Sequence, residues 1–160
     1  MLPPALMAID PGGMTGMAVL FTPPGSWGGF WCSEWPFHEF CAQFESIAIA
    51  YRDELAVFWE RFQVTARTHK LTPQPDAMHV IGVCRYLAAK YGCRVLPEAQ
   101  QATPSPGEQA QLRALGWWLP ANNDAQSAAG HMLRYLVQSN ELPSEEREIL
   151  AGLGKGERQW

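Results

Sequence analysis

The sequence lacks any apolar run of the roughly 18 residues that a membrane-spanning helix needs. It also lacks the basic start and long apolar segment of a secretory signal. Both absences lead us to expect a cytoplasmic protein with no membrane partner. Cysteine is sparse, and its four copies, Cys32, Cys41, Cys84 and Cys93, include no close pair. Cysteine-rich zinc sites use short paired spacings, so none is expected here. Reduced, mostly buried thiols are expected instead. Charge is sparse too: 18% of residues are charged and the formal net charge is −4. This excludes a surface that is basic all over, but not a local basic strip. There is no internal repeat and no low-complexity block. Apolar residues are abundant, at 47% of 160 positions, enough for one domain with a real core.

Residues 5–10 (ALMAID) and 16–22 (GMAVLFT) read as two strands joined by a Gly-rich turn. Residues 28–35 (GGFWCSEW) are a candidate third strand. Phe40, Phe44, Ile47 and Tyr51 recur three or four apart, which predicts a helix over 37–53. LAVFW, 55–59, is a short continuous apolar run that fits a buried strand. Asp76 caps a predicted helix that Gly92 ends, and CRVL, 93–96, follows as a strand. Helices are predicted over 107–115 and 122–138. Strand-helix-strand steps require parallel neighbours, so a mixed α/β sheet with helices on its faces follows. Residues 1–138 then form one domain and 139–160 a C-terminal tail. The tail is rich in glutamate, and its Gly-Leu-Gly-Lys-Gly stretch predicts a frayed end.

Three acids stand out. Asp10 ends an apolar run just before Pro-Gly-Gly. A carboxylate beside buried strand residues costs free energy unless it is paired or binds a cation. The alternative is ordinary turn chemistry, which Asp-Pro-Gly also satisfies. Glu60 ends LAVFW as Asp10 ends the first strand. Sites in open α/β sheets form beyond the carboxyl ends of parallel strands, so the two meet there if their strands are neighbours. Alternatively Glu60 is a solvated strand end. Asp124 sits near a helix start, where capping and dipole chemistry also favour an acid. Ala125, Ala128 and Ala129 would let that helix lie close to a sheet. His131 is seven residues on, about two turns, and shares a face with Asp124. It is either a packed histidine or part of a site. Three gathered carboxylates need compensation, and hard divalent cations such as Mg²⁺ supply it through oxygen ligands.

The segments AIDPGGMTGMAVL, LAVFWERF and NDAQSAAGHML, in that order, resemble the RuvC-like Holliday junction resolvases of the RNase H-like superfamily, small phage forms included. The resemblance spans most of residues 5–138. Its Asp-Pro-Gly-x-x-Thr-Gly motif is the most specific part. It implies an RNase H-like fold: a five-stranded mixed sheet, strands one to three antiparallel and four and five parallel to the first, flanked by helices. It implies a structure-selective endonuclease that hydrolyses phosphodiesters in branched DNA with two Mg²⁺ or Mn²⁺ ions, usually as a homodimer. Asp10, Glu60 and Asp124 match the family's metal-binding acids. The family's fourth acid has no counterpart: the position is Ala121 in one alignment and Ser127 in the other. His131 is a candidate substitute.

DNA-facing residues follow the second acid in such proteins. Here RFQVTARTHK offers Arg61, Arg67, His69 and Lys70 for phosphates and Phe62 for stacking on an unpaired base. The competing reading is a solvated basic loop with Phe62 in the core. Arg85 and Lys90 either extend the strip or serve a dimer surface, and Trp117 and Trp118 are either core or a dimer contact. Two other functional classes stay open. A noncatalytic nucleic-acid-binding module fits the missing acid. A nucleotide-binding phosphotransferase fits the Gly-Gly-x-Thr-Gly turn, but 160 residues are too few for its two lobes.

Overall fold

A computed structural model of the chain describes residues 2–22, 29–62, 75–100, 102–120, 122–142 and 144–156. Five strands, β1 (Ala5–Asp10), β2 (Met14–Phe21), β3 (Gly29–Pro36), β4 (Leu55–Trp59) and β5 (Arg94–Val95), form one sheet in the order β3-β2-β1-β4-β5. β1, β2 and β3 are antiparallel in sequence, while β4 runs parallel to β1 and β5 parallel to β4. The mixed sheet expected from the sequence is therefore present. Among the described residues five α-helices accompany it: α1 (Phe37–Tyr51), α2 (Pro75–Tyr91), α3 (Pro106–Ala114), α4 (Asn123–Gln138) and α5 (Ser144–Gly156).

Side chains alternate across a strand, so each strand contributes to two cores. Met7, Ile9, Met17, Val19, Val57 and Trp59 pack with Phe40 and Phe44 of α1 and Val80, Cys84 and Leu87 of α2. Leu6, Ala8, Ala18, Leu20, Ala56 and Phe58 face the other way, toward α4. That helix presents Ala125, Ala128 and Ala129 first and Met132, Leu133 and Leu136 later, all buried. The small residues let its N-terminal half lie against the sheet. The three larger ones are worth roughly 1.5–3 kcal/mol each in burial.

Element ends differ from the sequence reading in four places. β2 starts at Met14 rather than 16, because its ladder with β3 runs on to the Met14–Pro36 pair, two residues past the Asp10–Gly16 pair that ends the ladder with β1. α1 stops at Tyr51, where Arg52 takes a positive φ of 49° and opens a one-turn 3₁₀ helix. β5 shrinks to Arg94–Val95 at the sheet edge, with Pro97, which has no amide hydrogen, just beyond it. The expected frayed end carries a helix: α5 runs to Gly156, Leu142 before it is buried, and Leu150 packs against the α4-side core. Trp117 is core as well, stacked on Phe30 with ring centroids 4.3 Å apart, and Trp118 packs beside the same core under Arg113. All four cysteines are free, three of them buried. Among the described residues no helix is long and apolar enough to cross a membrane.

Candidate metal centre

Asp10 is the last residue of β1, and Glu60 follows β4 directly. The parallel ladder carries one step past β4: Glu60 N–H donates to Ile9 O at 2.9 Å and Glu60 bridges to Ala99. Glu60 is thereby held beside Asp10 at the carboxyl ends of adjacent parallel strands. Strand alternation then sets the direction of each side chain. Leu6, Ala8 and Asp10 share a face, as do Ala56, Phe58 and Glu60, and that face is the one α4 covers.

The register extends this row across the sheet. Asp10 pairs with Gly16, and Gly16 pairs with Glu34 of β3. Gly16 is where α4 touches down. A Cβ there would overlap the backbone carbonyl of Asp124 and approach Ala125 N to 2.8 Å. The absent side chain is the space that brings the helix start to the strand ends. Asn122, at the N-cap, makes no side-chain cap bond. Glu34 supplies one from the sheet, its Oε2 accepting from Asp124 N at 3.1 Å and Ala125 N at 3.5 Å. A carboxylate suits a helix N-terminus, where free N–H groups and the dipole favour negative charge.

The result is a cluster. One donor atom from each of Asp10, Glu60 and His131 lies within 4.8 Å of the others. Asp124 stands at the rim, close enough for its charge to act on Asp10. Burial, then the charges of Glu60 and Asp124, push the Asp10 carboxyl up to about 7, against a smaller opposing effect from a Ser127 hydrogen bond. Asp124 is raised as well, by burial first and then by Glu34 and Glu60. Among the described residues no lysine or arginine forms an ion pair with Asp10, Glu60 or Asp124. Oxygen donors gathered in this way fit a hard divalent cation, which would supply compensating positive charge.

His131 is 1% exposed, and its Nε2 lies 2.8 Å from Glu60 Oε2. Its Nδ1 lies 3.3 Å from Nη1 of Arg134, one turn along α4. Arg134 grips Glu108 of α3 through Nε and Nη2 at 2.5 and 3.1 Å. That pairing is the main reason the Glu108 carboxyl falls to about 2.

The proposed DNA-facing residues divide. Arg61 is exposed just past Glu60. Phe62 is half-buried against the α1–α2 core and, with Arg61, lines a hollow of about 230 Å³ beside α2. Arg67, His69 and Lys70 lie outside the described residues. Arg85 pairs with Glu98 at 3.1 Å and Lys90 with Glu45 at 2.8 Å, both in exposed surface ion pairs. Glu34, Arg134 and Glu108 were not singled out from the sequence. Only Glu34 had a local signal, since it alternates with Phe30 and Cys32 and so faces α4 once GFWCSEW is taken as a strand.

No family model and no curated protein matches the chain. Solved structures do. RuvC from Thermus thermophilus superposes with a TM-score of 0.50 at 16% identity, covering 84% of this chain and 96% of that one. The same organism's RuvC in complex with a Holliday junction substrate gives 0.52 at 14% identity, covering 84% and 94%. The Fowlpox virus resolvase, in complex with substrate Holliday junction DNA, gives 0.51 at 11%, covering 83% and 99%. At such identities the likeness shows the fold alone, one shared with RuvC and the Fowlpox virus resolvase.

Proposed function

We propose that this chain is a metal-dependent nuclease of the RNase H-like type that cuts branched DNA such as Holliday junctions. One observation carries the proposal. Asp10 and Glu60 at the ends of parallel strands converge with His131 of α4, with Asp124 acting on the same point and, among the described residues, no lysine or arginine paired with them. Stability alone gives no reason to gather these acids, since like charges in a half-buried site oppose folding. The fold's likeness to two junction resolvases supports branched DNA as the substrate.

Divalent metal held here would supply activation of a water and stabilisation of the leaving oxygen of a phosphodiester. The chain's own residues do the rest. Asp10 and Glu60 hold the cations from rigid strand ends, and Asp124 closes the site from the first turn of α4. Ser127 lies near enough for its hydroxyl to favour the charged form of Asp10. Whether the family's fourth acid aligns with Ala121 or with Ser127, this site has one carboxylate fewer to offer. Arg61 and the stretch containing Arg67, His69 and Lys70 take the phosphates beside the cut. Phe62 can stack on an unpaired base only by leaving the core against which it packs. Paired cuts across a four-way junction call for two such sites, hence a homodimer.

The test is cleavage of a labelled four-way junction with Mg²⁺ or Mn²⁺, with linear duplex and ATP as parallel substrates and Asp10→Asn as the control. Junction cutting that the substitution abolishes is the expected result. Tight junction binding without cutting would make the chain a noncatalytic module, and ATP hydrolysis without cutting a phosphotransferase.

A further inference from the structure

His131 has both ring nitrogens engaged, and one of its partners can only donate. A guanidinium carries no acceptor and keeps its protons in proteins. With Arg134 Nη1 at 3.3 Å, His131 Nδ1 must therefore be the acceptor and carry no proton. The proton of the imidazole then sits on Nε2, which is 2.8 Å from Glu60 Oε2 and donates to it. Arg134 is not free to turn away. Its Nη1 also donates to Ala102 O and its Nη2 to Thr103 O, both at 3.1 Å, while Glu108 takes two bonds from the same group. Glu108 is fixed in turn by a reciprocal capping box with Ser105 at the start of α3. A continuous chain of hydrogen bonds thus runs from the α3 cap through Arg134 and His131 to Glu60.

We propose that His131 is a positioning residue for Glu60 and not a metal ligand, held as the Nε2–H tautomer by Arg134. Coordination through Nε2 needs a lone pair there. The ring proton would have to move to Nδ1, where it would face a cation with nothing to accept it. Glu60 keeps Oε2 on His131 and leaves Oε1 for the metal, so the ligand set is carboxylate. The metal half of this inference rests on the proposed function; the tautomer does not.

The experiment is two-bond ¹H–¹⁵N spectroscopy of the full chain labelled at histidine, first in EDTA and then with saturating Mg²⁺. His131→Gln identifies its signals among the four histidines. An unprotonated Nδ1 and a protonated Nε2 are expected, unchanged by Mg²⁺, while side-chain carboxyl ¹³C signals of Asp10 and Glu60 move. Arg134→Ala should release the ring into a mixture of both tautomers. If that variant does not fold, the wild-type spectra decide alone. A protonated Nδ1 in EDTA, or loss of the Nε2 proton on adding Mg²⁺, overturns the proposal. Carboxyl signals that ignore Mg²⁺ would sink the metal centre instead, with the tautomer still decided by the EDTA spectrum.

Discussion

Replacing Asp10 by Asn should separate a metal-holding carboxylate from a turn residue, through stability as well as activity. In the folded chain burial, Glu60 and Asp124 push Asp10 from 3.8 up to about 7. A displacement of roughly three pH units corresponds to about 4 kcal/mol at 1.36 kcal/mol per unit. The sign follows from proton binding. Between those two values the native chain holds a proton on Asp10 that the unfolded chain has lost, so stability falls as pH rises. The contribution is whole below about pH 4 and is lost as pH climbs through about 7. Asn keeps the size and an oxygen for Ser127 but cannot ionise. In EDTA the variant should therefore match the wild type near pH 4 and exceed it at pH 8 by up to about 4 kcal/mol. Urea denaturation across that range reads the difference. Mg²⁺ should then close most of that gap at pH 8: a cation at 100 times its Kd adds about 2.7 kcal/mol to the wild type only. Junction cutting should vanish in the variant. A stability difference that does not change with pH, or a fully active Asp10→Asn protein, would refute the reasoning and leave Asp10 as the start of a turn.

Three further outcomes follow from the same geometry. Gly16→Ala places a methyl group against the Asp124 backbone, not a movable side-chain tip, so α4 must shift. A loss of about 1–3 kcal/mol in urea is expected together with weaker Mn²⁺ binding by calorimetry, and undiminished binding would show that the helix has slack. Glu34→Ala removes the cap on α4 and should cost about 1 kcal/mol. Glu34→Gln keeps an acceptor and should lower the Asp124 pKa, because Glu34 is one of the charges that raises it; an unmoved ¹³C carboxyl titration would contradict this. Arg67→Ala with Lys70→Ala should weaken junction binding and reduce its salt slope by roughly one per lost phosphate contact, and an unchanged slope would place the DNA elsewhere.

Helices α1 to α4 and the two central strands were legible because their signals are local. ALMAID and LAVFW are short apolar runs, and Phe40 and Phe44 repeat at helical spacing. Two of the acids were legible for the same reason, since each ends such a run. The shared face of Asp124 and His131 follows from 3.6 residues per turn. The strand face of Glu34 was legible from its alternation with Phe30 and Cys32, but its part in the site was not. Its place depends on a register through Gly16 to Asp10 and on a helix that docks 90 residues later. Nor could the sequence show what His131 touches. That a cation on α4 faces Nδ1, and that a glutamate on α3 holds the cation, are contacts between elements. Periodicity is written in neighbouring residues and needs no partner to be read. Register, docking and hydrogen-bond direction arise only when distant segments meet, and those are the features that turned scattered acids into one centre.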